Sequence, residues 1–318
     1  MKKRLKRTIT LKSKLIIFLV LISNSIIAQI ESEITQFDDV LNEYHNIRDF
    51  CISKDGNDAY FTLQSPDQSI SQIAHIKKEN NKWTEPKLLP FCDSFMYLEP
   101  FLSFKEDRLF FVSNRQLNDT TRVKKDFDIW YVEKDIKKGK WSKPKNLGAP
   151  VNSNLDEFYP SVSKNNNLYF TMVSPAGYGK DDIYVSTWDG NKYEKPILLN
   201  KNINSDGYEF NAFISLDEDF LLFSKYNEDD GQGSGDLYIS KKNATGEWQK
   251  ATNIGTPINT KYMEYCPFYD QKNEILYFTS KRLHIKSRKF TSVIDFKNYV
   301  EGSKNGLSKI YKTVLKIE

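Results

Sequence analysis

EFYPSVSKNNNLYFTMVSPAGYGKDDIYVSTWDGNKYEKPILL, residues 157–199, reads as one complete unit of four short strands. A first run ends at Ser163, and a turn of Lys and Asn leads to Leu168-Tyr169-Phe170-Thr171. A Gly-containing loop then precedes Asp182-Ile183-Tyr184-Val185-Ser186, and an Asp-Gly-Asn turn precedes Lys192-Tyr193-Glu194-Lys195-Pro196. Aromatic and β-branched residues fill the runs, and Asn, Gly and Asp fill the joints, which is the pattern of antiparallel strands. Pro196 lacks an N–H, so the fourth run fits a sheet edge.

The unit recurs along the chain. Its first strand ends at Ser53, Ser103, Ser163, Ser215 and Asp270, at spacings of 50, 60, 52 and 55 residues. Six to eight positions later stand Tyr60-Phe61, Phe110-Phe111, Tyr169-Phe170, Leu222-Phe223 and Tyr277-Phe278. Asp128, Asp182 and Asp236 open the third strands, and Lys82-Trp83-Thr84-Glu85-Pro86 and Lys140-Trp141-Ser142-Lys143-Pro144 repeat the fourth. A four-stranded sheet of this kind cannot bury both faces alone, whereas copies set around an axis can. The expected fold is all-β: a β-propeller of four-stranded antiparallel blades, five in number, with six as the alternative. The repeat units run over about 46–97, 98–156, 157–208, 209–263 and 264–318. The fifth unit ends without its outer strand, so residues 33–41 are expected to supply it and close the ring, removing an open edge. Helical periodicity is missing from the mature chain apart from short turns near residues 36–44.

The N-terminus sets the compartment. Residues 1–14 carry seven basic and no acidic residues, residues 15–22 are an unbroken apolar run, and Ala28 follows. That is the layout of a secretory signal cleaved after Ala28, leaving 29–318 as a single domain that is periplasmic or secreted. The apolar run is too short for a spanning helix, which takes about 20 residues. Of the 46 Lys and Arg, 39 remain in the mature chain against 42 Asp and Glu, a net charge of −3. These charges are interspersed, so nucleic-acid binding loses its support. Cys51, Cys92 and Cys266 allow at most one disulfide, so a sizeable core must supply the stability.

Phe158-Tyr159-Pro160-Ser161-Val162-Ser163, Asp182-Ile183-Tyr184-Val185-Ser186 and Lys140-Trp141-Ser142-Lys143-Pro144-Lys145-Asn146-Leu147-Gly148 resemble the WD40-like propeller repeat of the TolB family. Tyr277-Phe278-Thr279-Ser280-Lys281-Arg282 and Phe111-Val112-Ser113-Asn114-Arg115 match its Phe-Ser-x-Arg segment, while Ser174 and Asn227 replace the Arg elsewhere. The resemblance covers roughly residues 46–315. It implies an exported propeller with a protein-binding or scaffolding role, and it implies no single activity.

Candidate site residues fall into three sets. Asp128, Asp182 and Asp236, with Arg115 and Arg282, recur with the repeat and read as structural turn acceptors and their partners. Glu157, Glu209 and Glu264 stand six residues before the strand-end Ser or Asp; they are expected at one rim of the channel, either as a carboxylate cluster or as acceptors for neighbouring amides. Residues 282–306 interrupt the last blade and hold Phe290, Phe296 and Tyr299 amid Lys and Arg, a pattern suited to a binding insertion. The loop 227–235, rich in Asp and Gly, lacks an ordered Ca²⁺ ligand spacing. His45, His75 and His284 occupy non-equivalent positions, so neither a shared metal centre nor a cofactor is expected. The reading is a monomeric, non-catalytic module binding a protein or cell-envelope polymer. The alternative is a carbohydrate-active enzyme with two channel carboxylates as acid and as base or nucleophile.

Overall fold

The computed structural model of the protein describes residues 29–30, 33–117, 126–135, 137, 139–302 and 304–317. The leader expected over residues 1–28 lies outside these. Five antiparallel sheets follow one another as the blades of a five-bladed propeller. Their innermost strands are Ile47–Ile52, Tyr97–Leu102, Glu157–Val162, Glu209–Ile214 and Glu264–Asp270. In each blade the second strand pairs with the first and the third with the second. In the first two blades the outer strand is broken in two, Lys82–Trp83 with Lys87–Leu88 and Lys140–Trp141 with Lys145–Asn146. Pro86 and Pro144 sit in the breaks, where a missing N–H costs no ladder bond.

The doublets explain how the blades hold together. Successive residues of a strand face opposite sides of the sheet, so each doublet sends one side chain to each neighbouring blade. Tyr60 shares a core cluster with Phe111, Phe110 with Phe170, Tyr169 with Phe223, Leu222 with Phe278, and Tyr277 with Phe61. The last pairing returns to the first blade and closes the ring. Phe61, Phe111, Phe170, Phe223 and Phe278 are all fully buried, each burial stabilising by about 1.5–3 kcal/mol.

The strand-end Ser has an equally local cause. Ser53, Ser103, Ser163 and Ser215 accept backbone N–H groups four or five residues ahead, folding the turn into the second strand. Asp270 folds its turn with a shorter reach, accepting the N–H groups of Lys272 and Asn273 two and three residues ahead.

The N-terminal segment closes the last blade in a modified form. Thr35–Gln36 pairs antiparallel with Lys309–Lys316, and so does Gln29–Ile30. The strand stops at Gln36, and Asp38 caps a short 3-10 turn, Asp39–Leu41. The Phe37 N–H makes the last bond to Lys309–Lys316, at the Ile310 carbonyl, and residues 38–41 do not continue the strand as expected. Phe37 and Leu41 instead plug the seam, Phe37 lying 4.6 Å from Phe50 and 6.0 Å from Tyr277. The insertion also departs from expectation, for it contains a helix, Val293–Val300, capped by Ser292 accepting from the Asp295 N–H. The three cysteines are free.

Candidate functional site at the propeller axis

Every innermost strand carries a register shift in its middle: between Arg48 and Cys51, Leu98 and Phe101, Phe158 and Ser161, Phe210 and Phe213, and Tyr265 and Phe268. Within each shift the third strand residue is left-handed: Asp49 (φ 58°), Glu99 (58°), Tyr159 (50°), Asn211 (53°) and Cys266 (52°). Without Gly, such a backbone costs about 1–2 kcal/mol per residue. Five bulges re-aim five chemically different side chains.

These side chains meet. Arg48, from the first blade, donates through Nε to Asp49 (2.7 Å) and through Nη2 to Glu99 of the second blade (3.0 Å). The other Glu99 oxygen accepts the Tyr159 N–H of the third blade at 2.6 Å. The Cys266 sulfur, from the fifth, lies 2.8 Å from Asp49 Oδ1 and 3.3 Å from Asn211 Oδ1 of the fourth. Tyr159 Oη donates to the carbonyl of Pro267. All five blades thus contribute to one polar layer across the axis, and Arg48 stacks on Tyr265 beside it.

The layer is sealed. Asp49 is 1% exposed and Glu99 4%. Burial, reinforced by the charge of Asp49, pushes Glu99 up to about 8 despite Arg48 and the Tyr159 amide. Burial likewise raises the Cys266 thiol well above its ordinary range, so it is no nucleophile at neutral pH. One rung along the same strands, Phe101, Phe213 and Phe268 of the second, fourth and fifth blades meet, with ring centroids 6.3, 6.0 and 5.4 Å apart.

The repeated glutamates belong elsewhere. Glu157, Glu209 and Glu264 are fully buried at the entrance of their strands. Each accepts the hydroxyl of a residue four positions earlier, Ser153, Ser205 or Thr260. Glu209 and Glu264 also take the backbone N–H of that residue. Lys225 approaches Glu209 at 3.3 Å and Arg282 approaches Glu264 at 3.5 Å. The neighbouring Asn152, Asn204 and Asn259 each bridge the N–H and C=O of one third-strand residue. An Asn-Ser/Thr-x-x-x-Glu segment therefore fastens the entrance of one blade to the third strand of the blade before it.

Asp128 accepts from Asn146 Nδ2, Asp182 from the Gly179 N–H, and Asp236 from the Gln232 and Gly233 N–H groups. A Cβ on Gly177 would stand 1.9 Å from Asp182 Oδ2, which is why that loop needs glycine. Arg115 lies over the Trp130 ring, and Arg282 donates to the carbonyls of Pro257 and Ile258. In the loop 227–235, Glu228 pairs with Lys225 and Asp230 accepts from Tyr238 Oη. Among the described residues no group of His, Cys, Asp and Glu is arranged to hold a metal ion.

The insertion is a small packed unit. Phe290 touches Phe296 (5.0 Å) and Tyr299 (5.6 Å), and Arg288 caps Phe290 and Tyr299 while pairing with Asp295. Phe290 and Tyr299 thus form its core. Its outward apolar surface is Val293 (86% exposed), Ile294 (60%) and Phe296 (49%). The axial residues escape a search for identical repeats because no two are alike. Their one sequence signal is a shared offset, four residues before Ser53, Ser103, Ser163, Ser215 and Asp270.

No family model matches the chain, and no curated protein matches it in sequence. Solved structures similar to it include TolB from Acinetobacter baumannii, at 8% identity and a TM-score of 0.46 over 85% of this chain and 54% of that one. They also include the α-L-arabinofuranosidase PaAbf62A from Podospora anserina, at 12% identity and a TM-score of 0.49 over 89% and 94%. The α-L-arabinofuranosidase from Lactobacillus brevis has 12% identity and a TM-score of 0.46 over 86% and 92%. The chain is a five-bladed β-propeller whose similar structures include both TolB and glycoside hydrolases.

Proposed function

We propose that this protein is an exported, non-catalytic propeller that binds a protein or cell-envelope polymer, and that it belongs with the TolB-type repeat propellers. One observation carries the reading: the axial carboxyls and the repeated glutamates are buried and each bonds within the fold, Asp49 Oδ2 and Glu157 Oε2 being the oxygens that have no hydrogen-bond partner among the described residues. A hydrolase needs two carboxyls facing a substrate space, about 5–10 Å apart, and Asp49 and Glu99 instead clasp Arg48. The binding surface is assigned to residues 282–306, where Val293, Ile294 and Phe296 stand in solvent on a capped helix. Export rests on the leader pattern. Gln29, the first residue after the proposed cleavage, already pairs with Lys316 at the seam.

Mature protein immobilised as bait in envelope extract tests the reading. Val293→Ser/Ile294→Ser/Phe296→Ser should lose most capture of its partner with the melting temperature nearly unchanged, since surface changes shift stability by about 0.5 kcal/mol or less. Unaltered capture by this variant would remove the assigned surface. Glycan hydrolysis by the purified protein, abolished in Glu99→Gln, would replace binding with catalysis.

A further inference from the structure

The axis is closed by the three phenylalanines, but beyond them it opens again. A cavity of about 360 Å³ is lined by Ile52, Leu102, Val162, Ile214 and Asp270, which end or nearly end the five innermost strands. Its floor is Phe101, Phe213 and Phe268. Because strands alternate in direction, this mouth lies at the opposite end of the axis from the insertion, which follows a second strand. The volume equals roughly a dozen water-sized spaces, the lower end of small-ligand sites, and apolar walls with few polar groups are what such sites use.

The rim decides the ligand's polarity. Its acceptors are engaged: Asp270 takes the N–H groups of Lys272 and Asn273, Glu106 that of Lys54, and Gln271 Oε1 that of Leu216. Ser53 and Ser103 donate their hydroxyls to Asp55 and Asp107. The ammonium groups of Lys54 and Lys272 remain. Lys54 Nζ rests 3.2 Å from the centroid of the Phe104 ring, and Lys272 makes no ion pair among the described residues. The lip thus holds two carboxylates already bonded to backbone N–H groups and two ammonium groups with no carboxylate partner among the described residues, so an apolar well of this kind complements a body of about ten carbons whose anionic end can take those ammonium groups.

We propose that this mouth is a binding site for a small amphiphilic carboxylate, a medium-chain alkanoate or an arylalkanoate, its apolar body on the three phenylalanines and its carboxylate at Lys54 and Lys272. The site stands apart from the partner-binding surface and does not depend on it. The test is calorimetric titration of the mature chain with octanoate, 1-octanol and octylammonium. Octanoate should bind one to one with a negative heat-capacity change, and octylammonium should not. Lys54→Gln/Lys272→Gln should weaken octanoate about tenfold, the factor for roughly 1.4 kcal/mol, and leave 1-octanol unchanged. Leu102→Trp, at a half-buried wall position, should abolish both while melting like the parent. Absence of saturable octanoate binding, equal binding of octylammonium, or octanoate binding unaffected in both variants would overturn the proposal. So would sedimentation of the protein with anionic phospholipid vesicles that depends on the two lysines, which would make a membrane surface the ligand.

Discussion

Two sets of innermost-strand residues lie two positions apart and behave in opposite ways. Glu157, Glu209 and Glu264 open their strands as near-copies of one another, each accepting from the linker that arrives from the preceding blade. Asp49, Glu99, Tyr159, Asn211 and Cys266 share a backbone conformation but no chemistry, and they bond to one another's blades. Identity marks a joint that is repeated where one blade hands over to the next. Divergence at a fixed position marks a task the five perform jointly, since five copies of one charged residue on an axis would repel.

The comparison breaks first at Arg48. Arg48→Met removes the cation serving two buried carboxyls, and losing one partner of a buried ion pair costs about 3–5 kcal/mol. Differential scanning calorimetry should show a melting temperature lower by roughly 10 °C; a loss under a degree or two would mean the axial layer is not jointly held. A smaller effect concerns additivity. Glu209→Gln and Glu264→Gln should each cost about 1–3 kcal/mol and sum in the double variant to within about 0.5 kcal/mol. Asp49→Asn and Cys266→Ala should not sum, because they share one contact. Urea unfolding of the four single and two double variants decides this, and the opposite pattern would reverse the contrast.

The smallest effect is titrimetric. Burial raises Glu99 to about 8 and Glu157 to about 7, and raises Glu209 and Glu264 as well. Unfolded carboxyls titrate near ~4.3, so above that the native state holds more protons and stability falls as pH rises. The loss is complete only above the native values. Glu99→Gln should flatten the profile by about 1 kcal/mol per pH unit between pH 6 and 7. A variant profile parallel to the parent's would mean Glu99 is already ionised there.

Much of this architecture was legible because repetition and local chemistry coincide. The doublets at Tyr60-Phe61 to Tyr277-Phe278 announce faces that must be shared between sheets, and the missing outer strand after Leu315 calls for one from the other end. The axial layer was illegible for a physical reason. Its signature is a positive φ at residues such as Tyr159 and Cys266, which carry no intrinsic preference for it, so tertiary packing imposes what composition cannot announce. The helix Val293–Val300 was missed because eight residues offer little periodicity. Its definition comes from the Ser292 cap and the Arg288–Asp295 pair instead. Likewise, nothing in Phe37 to Leu41 separates a strand from a plug until the seam between the first and last blades exists.

That seam has a kinetic consequence. Thr35 is among the first residues of the ring, and its hydrogen-bonded neighbour, Lys312, is among the last. A chain emerging N-terminus first can build its first blades from local hairpins as they appear. The Tyr277–Phe61 interface and the closing strand must wait for the final residues. Contacts of such sequence separation form slowly, because closing a long loop loses chain entropy before any contact repays it. Until then the third strand of the last blade, Lys309–Lys316, presents an unpaired edge of the kind that another copy's N-terminal strand can occupy, which makes strand exchange the misassembly this topology favours.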